Sequence, residues 1–362
     1  MKLWHLIKKY GWLPLLLLVT WVGLRHDAFL YQDPVGQVVR VQTLNKGSVT
    51  DEHGNEDEAV SERLTIKLLN RSGQVQIDNG YAQSQAITAH YRVGDQVILS
   101  HAGGHNWQVF SLKRDALLGT LVLLFVSLLL IYGRLRAGGF LLLSLGLNLA
   151  LFGLALVADI QVKSVSVVGL FATVAVAMAA LSLFLVLGWG LQMGITWAAT
   201  VLSTGLALIV MVVCLSLTHN EGVHFETMSY VTQVPKTLFY AQTIIGVLGA
   251  VMDESSDIIA ALFGMHRENP NRPFHDYWQA GQSVGREILG TLVNILFMIF
   301  IAETIPMVIL MLRNGNNWSY ILDQVMNLGI LQTVVSGLGI VLAVPVTALL
   351  GATFLVKRGD QS

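Results

Sequence analysis

Apolar runs of about twenty residues, the length an α-helix needs to cross a bilayer, recur from residue 116 to residue 356 of this chain. They are Ala116–Gly133, Gly139–Val157, Val165–Leu187, Ile195–Leu217, Leu238–Ile258, Glu287–Leu310 and Gly329–Val356. Nothing else in the sequence constrains the fold as strongly. In hydrocarbon every backbone polar group needs a partner inside the protein, so segments of this kind are helices. The expected fold class is therefore an α-helical polytopic membrane protein. Composition agrees: 12% of residues are charged, about half the share in soluble domains. A net charge of −1 offers no basic surface to nucleic acid.

The N-terminus adds one more apolar segment. Lys2, Lys8 and Lys9 precede the run Trp12–Leu24, and Arg25, His26 and Asp27 follow it where a small-x-small cleavage site would stand. This reads as an uncleaved signal anchor over residues 1–26, for about eight spans in all. Residues 27–113 are different in character. Runs such as VGQVVRVQTL and RLTIKLL alternate with period two, and turn clusters (Asn70-Arg-Ser-Gly73, Asp78-Asn-Gly80) separate them, which predicts strands. Tyr91–Leu99, the HAGGH turn and Trp107–Phe110 read as a hairpin, while Asn45–Ala59, with DEHGNEDEA, reads as a polar mobile loop. The single cysteine, Cys214, lies in an apolar run, so this domain must hold together without a disulfide. A small β-barrel or sandwich is expected, followed by a multi-spanning helical domain over residues 114–362.

Charge orients the spans. With the N-terminus inside, Lys2, Lys8, Lys9, Arg134, Arg136, Arg267, Arg272, Lys357 and Arg358 all fall on the cytoplasmic side, and the outer loops hold only Lys163, Lys236 and Arg313. The expectation is a plasma-membrane protein with both termini cytoplasmic and residues 27–113 extracytoplasmic.

The last third carries a distinctive pattern: Gly246-x-x-Gly249-Ala-Val-Met-Asp253, Glu268-Asn-Pro-Asn271, Gly281-x-x-x-Gly285-Arg286-Glu287-Ile-Leu-Gly290-Thr-x-x-Asn294, and Gly337-x-Gly339-Ile-x-Leu-x-x-Pro345-x-Thr347. It resembles the YibE/F family of bacterial multi-spanning membrane proteins, and the anchor and β segment fit the longer members. The resemblance implies an integral membrane protein with a transport role and no known activity. Two departures matter. Gly285-Arg286-Glu287 stands where the family has Gly-Arg-Asp, and Glu254-Ser255-Ser256-Asp257 replaces a small apolar stretch. Of the three acids, only Asp253 matches the family.

Polar residues inside spans usually face protein or water. Asp253 on the sixth span and Arg286 and Glu287 at the start of the seventh are expected at one depth, with Asp253 facing Arg286 as an ion pair and Glu254 turned elsewhere. Asn294 and Glu303 continue the polar series along the seventh span, and a transport path between these two spans is the expected function. Pro273–Gln279 reads as a short interfacial helix before it. Gly246, Gly249, Gly281, Gly285 and Gly290 are expected to permit close helix packing. The alternative function is a non-transporting assembly factor or scaffold. Expected partners are the lipid bilayer and a second membrane subunit of the same family.

Enzymatic motifs are weak. Gly281-Gln-Ser283-Val-Gly285 matches a nucleophile elbow, but no strand precedes it. His101 and His105 flank a glycine turn without the spacing of a metal site. There is no Walker A motif, no G-x-G-x-x-G after a strand and no H-E-x-x-H. No catalytic residue, metal or cofactor is expected.

Overall fold

The computed structural model describes residues 11–52, 54–85, 88–101, 107–133, 135–162, 166–228 and 234–359. The chain divides into two compact units, Met1–Gly138 and Gly139–Ser362.

The first unit holds helix α1 (Trp12–Arg25), five strands and helix α2 (Asp115–Tyr132). Strands β1 (Val35–Thr50), β2 (Glu56–Leu68), β3 (Gln74–Ala82), β4 (Gln96–His101) and β5 (Trp107–Leu112) form one antiparallel sheet in the order β3-β2-β1-β4-β5. Period-two alternation puts Val38, Leu64, Ile66, Ile77, Val97 and Leu99 together, and Tyr91 closes their core. The edge strands β3 and β5 also approach one another, so the sheet, the only one among the described residues, curls on itself.

The expected hairpin at residues 91–110 is present as β4 and β5. The expected mobile loop over Asn45–Ala59 is not a loop. Lys46 to Thr50 pair in register with Val60 to Glu56, and the turn is tight: the Asn55 backbone N–H donates to Asp51 Oδ1 at 2.8 Å. Ladder hydrogen bonds come from the backbone whatever the side chains, so a polar sequence extends a hairpin as well as an apolar one. His53 lies outside the described residues.

One buried cation ties the helices to the sheet. Lys113 Nζ lies 2.6 Å from Asp27 Oδ1 and 2.8 Å from Asp115 Oδ2, and donates to Leu24 O at 2.5 Å. It thus links the end of α1 to the beginning of α2.

The second unit is helical: α3 (Leu135–Gln161) enters it, followed by α4 (Val167–Leu187), α5 (Leu191–Leu217), α6 (Pro235–Glu268), α7 (Phe274–Arg313) and α8 (Asn327–Gly359). Among the described residues six helices, α2 to α5, α7 and α8, are long and apolar enough to cross a membrane. Helix α6 has 34 residues, about 50 Å of helix, but Asp253, Glu254 and Asp257 interrupt its apolar run. Helices α5, α6 and α8 pack mutually, α4 lies against α6, and α7 lies along α8.

The expected interfacial helix at Pro273–Gln279 is instead the beginning of α7, which runs unbroken for 40 residues. Only residues 269–273 connect it to α6. Tyr277, expected at headgroup depth, is fully buried, and its hydroxyl meets His266 Nδ1 at 2.8 Å. The amphipathic pattern was correct, but its apolar side faces α6 and α8. A helix next to a protein neighbour and one next to a headgroup layer show the same periodicity.

Candidate functional site

Helix α6 turns one of its three neighbouring acids inward. Asp253 and Glu254 are neighbours, so their side chains point about 100° apart. Glu254 is 0% exposed, whereas Asp253 and Asp257 are exposed. Both Glu254 oxygens are enclosed with no hydrogen-bond partner, and no salt bridge to it exists among the described residues.

Helix registers place this carboxylate. A Cβ at Gly339 of α8 would sit 3.6 Å from Ala207 Cβ of α5 and 3.0 Å from Val251 Cγ2 of α6. Val247 Cγ1 lies 2.7 Å from the same position, so Ala207 is level with the turn from Val247 to Val251. Helices α5 and α6 are antiparallel, with Ile195 clustering among Ile258, Ile259 and Leu262. One turn onward brings Ser203 and Thr204 to the turn from Val251 to Ser255, which contains Glu254. Both α5 hydroxyls are buried and unpartnered, and from α8 the Thr347 hydroxyl donates to Ser255 Oγ at 3.1 Å. Five buried polar side chains on three packed helices thus lie within about one helical turn of one another in level, Thr347 and Ser255 in direct contact and the others unpartnered. Ser203 and Thr204 are at the middle of α5, which is 27 residues long.

The layer also borders α7. A Cβ at Gly281 would lie 3.6 Å from Ile258 Cγ2 and 2.7 Å from Ala348 Cβ. One turn further, Gly285 comes to the level of Glu254, and a Cβ there would lie 2.5 Å from Val344 Cγ1. These two glycines hold α7 against α8 because a larger residue would overlap the neighbour. The other three expected packing glycines differ. Gly249 and Gly290 have open space around the Cβ position, and Gly246 meets only the end of Gln332. Close approach is instead completed by Gly339 and Gly351 of α8, the latter against Leu262 and Ile259 of α6. Gly337-x-Gly339 in the sequence was the available signal for the first of these.

The five polar residues expected to line a path are not brought together. Asp253, Arg286, Glu287, Asn294 and Glu303 are all exposed on the chain's surface. Among the described residues none of them makes a hydrogen bond or ion pair, and Asp253 does not pair with Arg286. The reason is azimuth: α7 faces α8 with Gly281, Gly285 and Phe300, and Asn294 falls on the opposite side. Gln242 does find a partner, donating to Gln332 Oε1 at 3.1 Å.

Ser283 is exposed within the continuous helix α7, without the strand-to-helix turn that a nucleophile elbow needs. His101 packs its ring 4.0 Å from that of Trp107, and His105 lies outside the described residues.

The chemistry available at Glu254 is narrow. A fully enclosed carboxylate, with no hydrogen-bond partner and no basic residue paired to it among the described residues, can exchange a proton or hold a small cation. Comparison with known families gives two matches. A family model described as YibE/F-like protein covers residues 121–357, and one described as YibE/F family N-terminal domain covers residues 29–111. No curated protein and no solved structure matches the chain.

Proposed function

This chain belongs to the YibE/F family, and from that premise we propose that it is a multi-pass membrane transporter in which Glu254 binds a proton or small cation during each cycle. One observation carries the reading: a fully enclosed carboxylate with both oxygens unpartnered. An ionised acid at the centre of a membrane costs about 2.5–3.5 kcal/mol on the insertion scale, and an exchanging proton or cation removes that cost. Intramembrane acids of this kind mark ion pathways. Ser203, Thr204, Ser255 and Thr347 are buried hydroxyls within about one turn of it on the packed helices, and in this reading they are the neutral oxygens available to a bound cation. The path runs beside the seam of the sixth and seventh helices, where Gly281 and Gly285 border the layer.

In this reading α1 and α6 cross the bacterial plasma membrane along with the six more apolar helices, for eight spans. The lysine and arginine distribution supports cytoplasmic termini and an extracytoplasmic sheet. A cysteine at Asp51 is expected to react with an impermeant thiol reagent in intact cells, and one at Asn269 is not. Labelling at residue 269 from outside would invert the topology.

The chemistry is tested with dicyclohexylcarbodiimide, a hydrophobic reagent to which a protonated carboxyl in the membrane adds to give an O-acylisourea that rearranges to a stable N-acylurea. Mass spectrometry is expected to find an adduct on Glu254 that diminishes as pH rises or as sodium, potassium or magnesium is added. The second reading, an assembly factor or scaffold, is favoured by the open polar face of α7. It expects Glu254 to stay sealed and unlabelled under every condition.

A further inference from the structure

We infer that the chain forms a parallel two-fold dimer through the outward face of α7. This inference is independent of the transport reading and rests on different residues. Helix α7 buries one narrow stripe, including Tyr277, Gly281, Gly285 and Phe300, and its most apolar stretch is only 6% buried. Its other side presents Glu287, Gly290, Asn294, Phe297 and Ile301, all exposed. Their alternating spacing of three and four residues is that of a helix seam. Asn294 stands nearly two turns inside the apolar run that begins at Ile288, without a partner among the described residues, and a polar side chain in that position belongs against protein.

The occupant is identified by charge. A two-fold axis along the membrane normal sets identical residues at equal depth. In a parallel pair the seam residue Glu287 packs beside the residue that precedes its counterpart, so it meets Arg286 of the second copy, and the contact occurs twice. Asn294 carries both donors and an acceptor and pairs with itself, as a single seam asparagine does when it fixes register and a two-stranded state. Gly290 lets the backbones approach between these two layers. The first unit's α2 offers no such complement, since no charged residue occurs from Ala116 to Gly133.

The test uses the full chain in membranes, with Cys214→Ala as background. Oxidation is expected to cross-link Gly290→Cys, Asn294→Cys and Ile301→Cys into dimers, but not Ile295→Cys or Ile299→Cys, which are equally exposed off the seam (46% and 51%). In detergent, Arg286→Glu and Glu287→Arg are each expected to lose the dimer mass, and the double reversal to regain it. Cross-linking at all five positions alike, at none of them, or between Asn294→Cys and a cysteine in α2 of the same chain would overturn the inference. So would a double reversal that stays monomeric while either single variant stays dimeric.

Discussion

Glu254→Gln is expected to leave the protein folded and at least as heat-stable as the parent, while abolishing carbodiimide labelling at this position and any cation-coupled uptake. The amide has the same shape and carries no charge. Glu254 has no counter-ion, so nothing is stranded by its removal; replacing an uncompensated buried charge with a neutral group is neutral or stabilising. Asp253→Asn and Asp257→Asn change exposed groups and should move stability by no more than about 0.5 kcal/mol. This reverses the expectation from the sequence, in which Asp253 was the sensitive acid and Glu254 the silent one. Thermal unfolding in detergent, read beside labelling, decides between them. If Glu254→Gln unfolds the protein, the carboxylate has a structural partner; if coupled uptake persists in that variant, the coupling site is elsewhere.

Lys113→Ala should destabilise the first unit by about 3–5 kcal/mol, the cost of leaving buried partners without their counter-charge. The Lys113 side chain is 1% exposed, and those of Asp27 and Asp115 are 12% and 25% exposed. Without the ammonium, two carboxylates remain side by side and the Leu24 carbonyl loses its donor. The Tyr31 hydroxyl cannot replace it. It already donates to Asp115 Oδ2 at 2.9 Å, and burial, together with that bond, pushes its pKa up to about 12, so it stays neutral at physiological pH. Asp27→Asn in the Lys113→Ala background should recover part of the loss, because one of the two repelling charges is gone. An unfolding midpoint for Lys113→Ala equal to the parent's would show the cluster to be solvated and of little consequence.

The sequence by itself determined the element types. Apolar runs of bilayer length force helices because hydrocarbon leaves the backbone no outside partner. Period-two runs between turn clusters made strands because alternation gives each strand one face for the core, and both strands of the β4–β5 hairpin were readable. The family pattern also identified Gly281 and Gly285, the two glycines on which α7 rests against α8. What only tertiary structure decided is azimuth, meaning which side of each helix meets which neighbour. Asp253 and Glu254 are adjacent in sequence and equal in chemistry, and the arrangement of α5, α7 and α8 around α6 puts one outside and seals the other. Similarly, nothing local distinguishes an α7 that stops at Gln279 and lies on a membrane from one that continues to Arg313. The distinction rests on Tyr277 finding His266 of α6, a contact between residues on two different helices. Periodicity reports that a helix has a buried side; only packing supplies the partner, and the partner decides whether a carboxylate is a surface charge or an enclosed one.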